Sequence, residues 1–170
     1  PVGDGPRRLW PVLATAVGVD ADAVEWVSME PKLRQSFLLQ GNVDAISGFS
    51  YSMIPALVEA GKTLDDMNIF YYTEIGLDFY GNVIMVKESF LEENPDVVRG
   101  FLAAYIQGMK DAISDPEAGL EAVIAAGDEL MDADAERLRL QIGLDGLLIN
   151  EEVEEIGFGA ADPERLEATI

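Results

Sequence analysis

The chain has 170 residues, of which 49% are apolar and 25% charged, enough for a globular core and too hydrophobic for a disordered segment. Its 32 acidic residues against 11 basic give a net charge of −21, and no basic run is longer than Arg7-Arg8, so nucleic acid and anionic membrane surfaces are excluded as partners. With no histidine and no cysteine, disulfides, thiol nucleophiles, Cys/His zinc sites and histidine general bases are excluded as well. No cofactor, no metal site and no catalytic residues are therefore expected.

Pro6 to Val17 reads as a helix, with Pro6 suited to its first turn and Pro11 expected to kink or restart it. Val24 to Met29 alternates and is rich in strand formers, and Pro31 to Gln40 is a helix stopped by Gly41. Val43 to Ser47 reads as a short strand ending at Gly48, and Met53 to Ala60 as a helix ended by Gly61. Ile69 to Thr73 and Asn82 to Val86 complete four predicted strands. Strands separated by helices imply crossovers, so an α/β fold with a mainly parallel sheet flanked by helices is expected.

From Asn94 onward the pattern is helical. Val98, Phe101, Leu102, Tyr105, Ile106, Met109, Ala112 and Ile113 form one apolar face. Pro116 to Ala126, Ala133 to Leu148, Glu151 to Ile156 and Pro163 onward add further helices. Asn94-Pro95, Asp115-Pro116 and Asp162-Pro163 read as caps followed by a first-turn proline. The start, Pro1 to Gly5, has neither the basic nor the apolar region of a signal peptide, and both ends read as cut.

The segment Gln40-Gly41-Asn42-Val43-Asp44-Ala45, a helix end followed by a strand, resembles type II periplasmic binding proteins. The NMT1/THI5-like members are more similar still. The likeness runs through Gly3 to Pro11, Gly48-Phe49-Ser50, Tyr80-Gly81-Asn82, Glu93 to Phe101, Asp115 to Ala118 and Asp162 to Leu166, in that order. It implies a periplasmic-binding-protein-like fold of two lobes, of which this chain is a fragment. Residues 1–74 would be the second lobe, 75–82 the hinge crossing, and 83–170 the mostly helical return to the first. It implies the solute-binding component of an ABC importer, exported to the periplasm, closing an interlobe cleft on a small molecule and docking on a membrane permease. The complete protein would be a monomer.

Three segments sit where ligands gather in α/β proteins. Gly3-Asp4-Gly5-Pro6 precedes a helix, so that Asp4 and Gly5 either meet a ligand or Asp4 simply caps the helix. In Gly48-Phe49-Ser50-Tyr51, glycine permits close approach, Phe49 or Tyr51 can stack on a flat ligand and Ser50 can hydrogen bond. Otherwise Ser50 or Ser52 is a cap and Phe49 lies in the core. In Glu74 to Tyr80, Glu74 or Asp78 could bind an amine or protonated ring nitrogen and Tyr80 could stack, or the segment is a solvated loop with Tyr80 buried. Trp10 and Trp26 are assigned mainly to packing. These residue types favour a flat, nitrogen-bearing solute such as a pyrimidine or thiamine precursor. An aliphatic sulfonate, taurine or nitrate ligand would want more basic side chains than Arg7 and Arg8. The resemblance is also compatible with a periplasmic sensor domain. It extends to enzymes of pyrimidine biosynthesis too, which the missing histidine and cysteine disfavour.

Overall fold

A computed structural model of the chain describes residues 4–127 and 131–169; Gly3 of the predicted ligand loop and the terminal Ile170 lie outside them. Of the described residues, 66% are helical and none is in a strand, so the expected α/β sheet is replaced by an all-helical structure. The chain divides into two compact units, unit 1 at Pro1–Asp78 and unit 2 at Phe79–Ile170.

Unit 1 holds helices α1 (Gly5–Val17), α2 (Arg34–Leu39) and α3 (Ser50–Glu59), with 3₁₀ turns at Ala21–Ala23, Pro31–Leu33, Leu64–Asp66 and Tyr72–Ile75. Pro6 opens α1, where a missing N–H costs nothing. Pro11 removes one helical bond, yet α1 runs through it as a single element instead of restarting. α2 and α3 stop where the sequence indicates, at glycines with positive φ: Gly41 at 71° and Gly61 at 85°. Beyond each, the next N–H folds back onto the last turn, from Asn42 to Phe37 O at 2.9 Å and from Lys62 to Leu57 O at 3.0 Å. The buried side chains are Ala14 of α1 and Ile54, Pro55 and Leu57 of α3. α1 packs on the turns at Ala21–Ala23 and Tyr72–Ile75, and the Tyr72 hydroxyl donates to Pro6 O at 3.2 Å.

Unit 2 comprises α4 (Glu88–Glu93), α5 (Pro95–Ser114), α6 (Pro116–Ala126), α7 (Ala133–Gly143), a π turn at Leu144–Leu148, α8 (Glu151–Ile156) and α9 (Pro163–Thr169). Its helix starts are chemically marked. Asp115 accepts from Ala118 N at 3.1 Å, Asp132 from Ala135 N at 2.8 Å and Asn150 from Val153 N at 2.9 Å. Asp162 likewise accepts from Arg165 N at 2.8 Å. Asn94 departs from this pattern, since its side chain bonds back to Phe90 O at 3.3 Å and caps nothing. α6 packs between α5 and α7 and carries the buried Leu120; Ala135 and Leu144 are also buried. A Cβ on Gly119 would lie 3.0 Å from Ala112 Cβ and 3.2 Å from its Cα, so glycine sets how closely α6 lies on α5.

The four predicted strands fail for one reason. Their local preference for extended backbone is realised, as at Val24 (φ −108°, ψ 125°) and Tyr71 (φ −88°, ψ 134°). A strand is defined by its ladder, however, and among the described residues no backbone hydrogen bond joins one of these segments to another. Without a ladder the apolar side chains are not covered. Phe70 is 84% exposed and Met85 86%, with Val83 and Ile84 also open to solvent.

Candidate functional site

Unit 1 brings Asp4 of the first predicted segment and Ser47, the residue before the second, onto one side chain that the sequence did not single out. Arg34, the first residue of α2, extends its guanidinium to Asp4 Oδ1 through Nη2 at 2.8 Å and to the Ser47 carbonyl through Nη1, also at 2.8 Å. The pair is largely withdrawn from water, with side-chain exposures of 12% for Arg34 and 20% for Asp4. Arginine suits this position because its rigid planar fork serves two acceptors at once. One cation thereby ties the entrance of α1 to the loop leading into α3.

Asp4 is the N-cap residue of α1 by position, but its side chain makes no cap hydrogen bond. Simple capping therefore gives way to the ion pair with Arg34. Gly5 is exposed, with open space where a side chain would stand. Gly48 is crowded: a Cβ there would lie 2.6 Å from Met53 Cγ, 2.7 Å from Met53 Sδ and 3.4 Å from Arg34 Nη1. A side chain on this residue would have to push Met53 aside, so glycine lets the loop pass close to it.

Phe49 occupies the N-cap position of α3 without a side-chain cap, and neither Ser50 nor Ser52 supplies one. Instead the Ser52 hydroxyl donates to Phe49 O at 3.0 Å. Phe49 is not in the core either. It is 40% exposed and stacks on Tyr51, with ring centroids 5.5 Å apart and planes 20° from parallel. Ser50 and Tyr51 are half-buried in the first turn of α3. Tyr72, whose hydroxyl reaches Pro6, stands close enough to Asp4 to feel its charge. Burial first, then that carboxylate, pushes its phenol above the ordinary value.

The third predicted segment is divided. Glu74 accepts from Tyr71 N at 3.4 Å and so closes its own 3₁₀ turn. Asp78 is an exposed residue at the end of unit 1. Tyr80 belongs to unit 2, where its hydroxyl donates to Glu152 and accepts from Asp162 N at 2.7 Å, while Arg165 lies 4.2 Å over its ring and pairs with Glu152. Burial, then the hydrogen bond to Glu152, raises the Tyr80 phenol. The bond from Tyr80, reinforced by Arg165, holds the Glu152 carboxyl below its usual range against the opposing effect of burial. Tyr80 is thus committed to tying its segment to α8 and α9.

Trp10 and Trp26 meet edge to face at 6.1 Å, and the Trp10 indole donates to Ala21 O at 2.9 Å. Arg7 lies 5.0 Å over Trp26 and donates to Ser28 Oγ at 2.9 Å. Its guanidinium is engaged in that cluster.

A concavity of about 260 Å³ lies between α6 and α7, lined by Leu120, Val123, Leu140, Glu136 and Arg139. Glu136 and Arg139 pair there at 3.0 Å, and Arg139 Nε is buried without a hydrogen-bond partner. None of the predicted site residues borders it. Among the described residues no helix is long and apolar enough to cross a membrane, and no group of three or more His, Cys, Asp or Glu side chains is spaced to hold a metal ion.

Arg34, which holds this cluster together, is the residue that the sequence did not reveal. It sits inside a predicted helix, and neither of its partners lies within a helical turn of it. Its only signal was its rarity, one of 11 basic residues among 32 acidic ones.

No curated protein and no solved structure matches the chain. The family model described as NMT1/THI5 like matches residues 6–119, more than half of the length. Most of that family are binding proteins, while its THI5 members are enzymes. The match takes in α1 to α5 and all of the Arg34 cluster except Asp4 and Gly5, and on it the chain belongs to the NMT1/THI5-like family of substrate-binding proteins, whose role is the binding of small-molecule solutes.

Proposed function

We propose that the chain is part of the solute-binding component of an ABC importer that acts in the periplasm, takes up a small, flat, nitrogen-bearing molecule of the pyrimidine class and delivers it to a membrane permease without transforming it. The single observation that carries the ligand class is the pairing of a stacked aromatic platform with a neutralised cation. Phe49 and Tyr51 offer ring faces for a planar solute. Asp4, Gly48 and Ser50 are the further ligand residues of this reading, offering a carboxylate, backbone polar groups and a hydroxyl. Arg34 brings no net positive charge because Asp4 holds it at 2.8 Å.

Glu74, Asp78 and Tyr80 have weaker support as ligand residues, Glu74 and Tyr80 because each is engaged within its own segment or unit. Binding without chemistry is favoured because the chain supplies neither a histidine base nor a cysteine nucleophile. A two-part organisation is supported by the division between Asp78 and Phe79, which lies within 75–82.

The test is thermal unfolding against pyrimidines, thiamine precursors, taurine, alkyl sulfonates and nitrate. A ligand at about 100 times its Kd adds roughly 2.7 kcal/mol. A melting shift with pyrimidines, lost in Tyr51→Ala, is the expected result. A shift with sulfonates or nitrate alone overturns the ligand class, and conversion of a bound pyrimidine to a new product overturns the absence of catalysis.

A further inference from the structure

We propose that Asp4 is a specificity-determining residue, which denies the unit 1 site to oxyanions by occupying Arg34. The proposal rests on the reading of that cluster as the solute site and deepens it by stating what the site rejects. Three observations carry it. Arg34 is joined to Asp4 of the first candidate segment through Nη2 and, through Nη1, to the carbonyl of Ser47, the residue before the second. Arg7 is drawn off by Trp26 and Ser28. The start of α1 is a poor anion cradle by itself, because Pro6 has no N–H and leaves Gly5 and Arg7 as the donors of its first turn.

A sulfonate, sulfate or nitrate entering here needs the guanidinium, since planar bidentate donors are what recognise such groups. Asp4 Oδ1 already occupies Nη2 at 2.8 Å, the Ser47 carbonyl occupies Nη1 at 2.8 Å, and neither acceptor can diffuse away. An incoming oxyanion would have to displace a tethered carboxylate, and would meet its repulsion while doing so. A neutral solute has no such competition. The carboxylate therefore acts as a built-in anion, and the discrimination lies in the Asp4–Arg34 pair.

Removing the charge while keeping the shape should open the site to anions. Asp4→Asn is a suitable variant because Asp4 makes no cap bond to lose. Ethanesulfonate and inorganic sulfate are titrated calorimetrically into the wild type, Asp4→Asn, and the double variant Asp4→Asn/Arg34→Gln, with circular dichroism as the check on folding. A charge-assisted hydrogen bond to a freed guanidinium corresponds to at least a ~10-fold gain in affinity. The expected result is weak or undetectable binding to the wild type, a gain in Asp4→Asn, and loss of the gain in the double variant. Should Asp4→Asn fold poorly, Asp4→Ser takes its place, and a melting temperature raised by ethanesulfonate in either variant but not in the wild type is the same positive result. Wild type that binds ethanesulfonate as tightly as a folded variant overturns the proposal, as does a folded variant that gains nothing or a gain that survives loss of Arg34. None of these readouts requires the physiological solute. Failure of the pyrimidine screen therefore leaves this result intact, and failure here leaves that screen intact.

Discussion

Arg34 and Asp4 can be separated by a double-mutant cycle with Arg34→Met and Asp4→Asn, which isolates their mutual energy from everything else each side chain does. Two unit charges about 4 Å apart attract by roughly 4 kcal/mol at an effective dielectric of about 20, and by about 1 kcal/mol in water. With 12% and 20% of the two side chains exposed, the pair sits nearer the first limit, but desolvation offsets part of the gain. A coupling energy of about 2 kcal/mol follows. Arg34→Met should be the costlier single change, at about 3 kcal/mol, because it also removes a charge-assisted bond to the Ser47 carbonyl. Asp4→Asn should cost about 2 kcal/mol by leaving a mostly buried guanidinium without its counter-ion. Urea unfolding followed by the fluorescence of Trp10 and Trp26, both in unit 1, measures all four corners of the cycle. A coupling below about 0.5 kcal/mol would place the pair among ordinary surface ion pairs. It would refute the claim that Arg34 fastens α1 to the loop before α3.

Gly119→Ala should destabilise unit 2 by about 1 kcal/mol, since roughly 1 kcal/mol of improved helix propensity is outweighed by ~1–3 kcal/mol of overpacking. Ala112 meets the new Cβ at 3.0 Å with atoms that have no rotamer to change, and Ala112→Gly should restore part of the loss in a thermal melt. Gly48→Ala should force Met53 aside and break its 3.6 Å contact with Gln35 Nε2, lowering stability by about 1–2 kcal/mol. Met53→Ala in the same chain should recover part of that loss, and equal melting of Gly48→Ala and wild type would contradict the crowding. Glu152 has a lowered carboxyl in the folded chain, so its contribution is present above the unfolded pKa and lost as pH falls through the folded value. Between about pH 5 and pH 3 the wild type should therefore lose more stability than Glu152→Gln, and parallel pH profiles for the two would remove the Tyr80–Glu152–Arg165 cluster from that role.

Helices were legible in the sequence because their signals are local. Pro6, Asp115-Pro116 and Asp162-Pro163 mark starts, Gly41 and Gly61 mark stops, and each acts within one turn of itself. Strands were not, because alternation at Val24 to Met29 or Val43 to Ser47 reports only a backbone able to pair. Whether a partner lies alongside is a property of distant chain, and here none is bonded. The site shows the same contrast. Asp4, Gly48, Phe49 and Tyr51 could be named from residue chemistry next to a helix start. Arg34 could not, since its partners lie 30 residues before it and 13 after it, at separations no local pattern records. Tyr80 was read by its ring, while its fate was decided by Glu152 and Arg165, more than 70 positions away.

Both tryptophans of the chain, Trp10 and Trp26, stand in a single edge-to-face cluster in unit 1. Indole emission is therefore a private spectroscopic channel for that half of the molecule, whereas the far-ultraviolet signal, weighted by the long helices α5 to α7, speaks mostly for the other half. Coincident transitions in the two channels would mean that the halves melt as one cooperative body. Separated transitions would give each half its own stability, measurable in an unlabelled sample, and would let a bound solute be assigned to its half by which signal it delays.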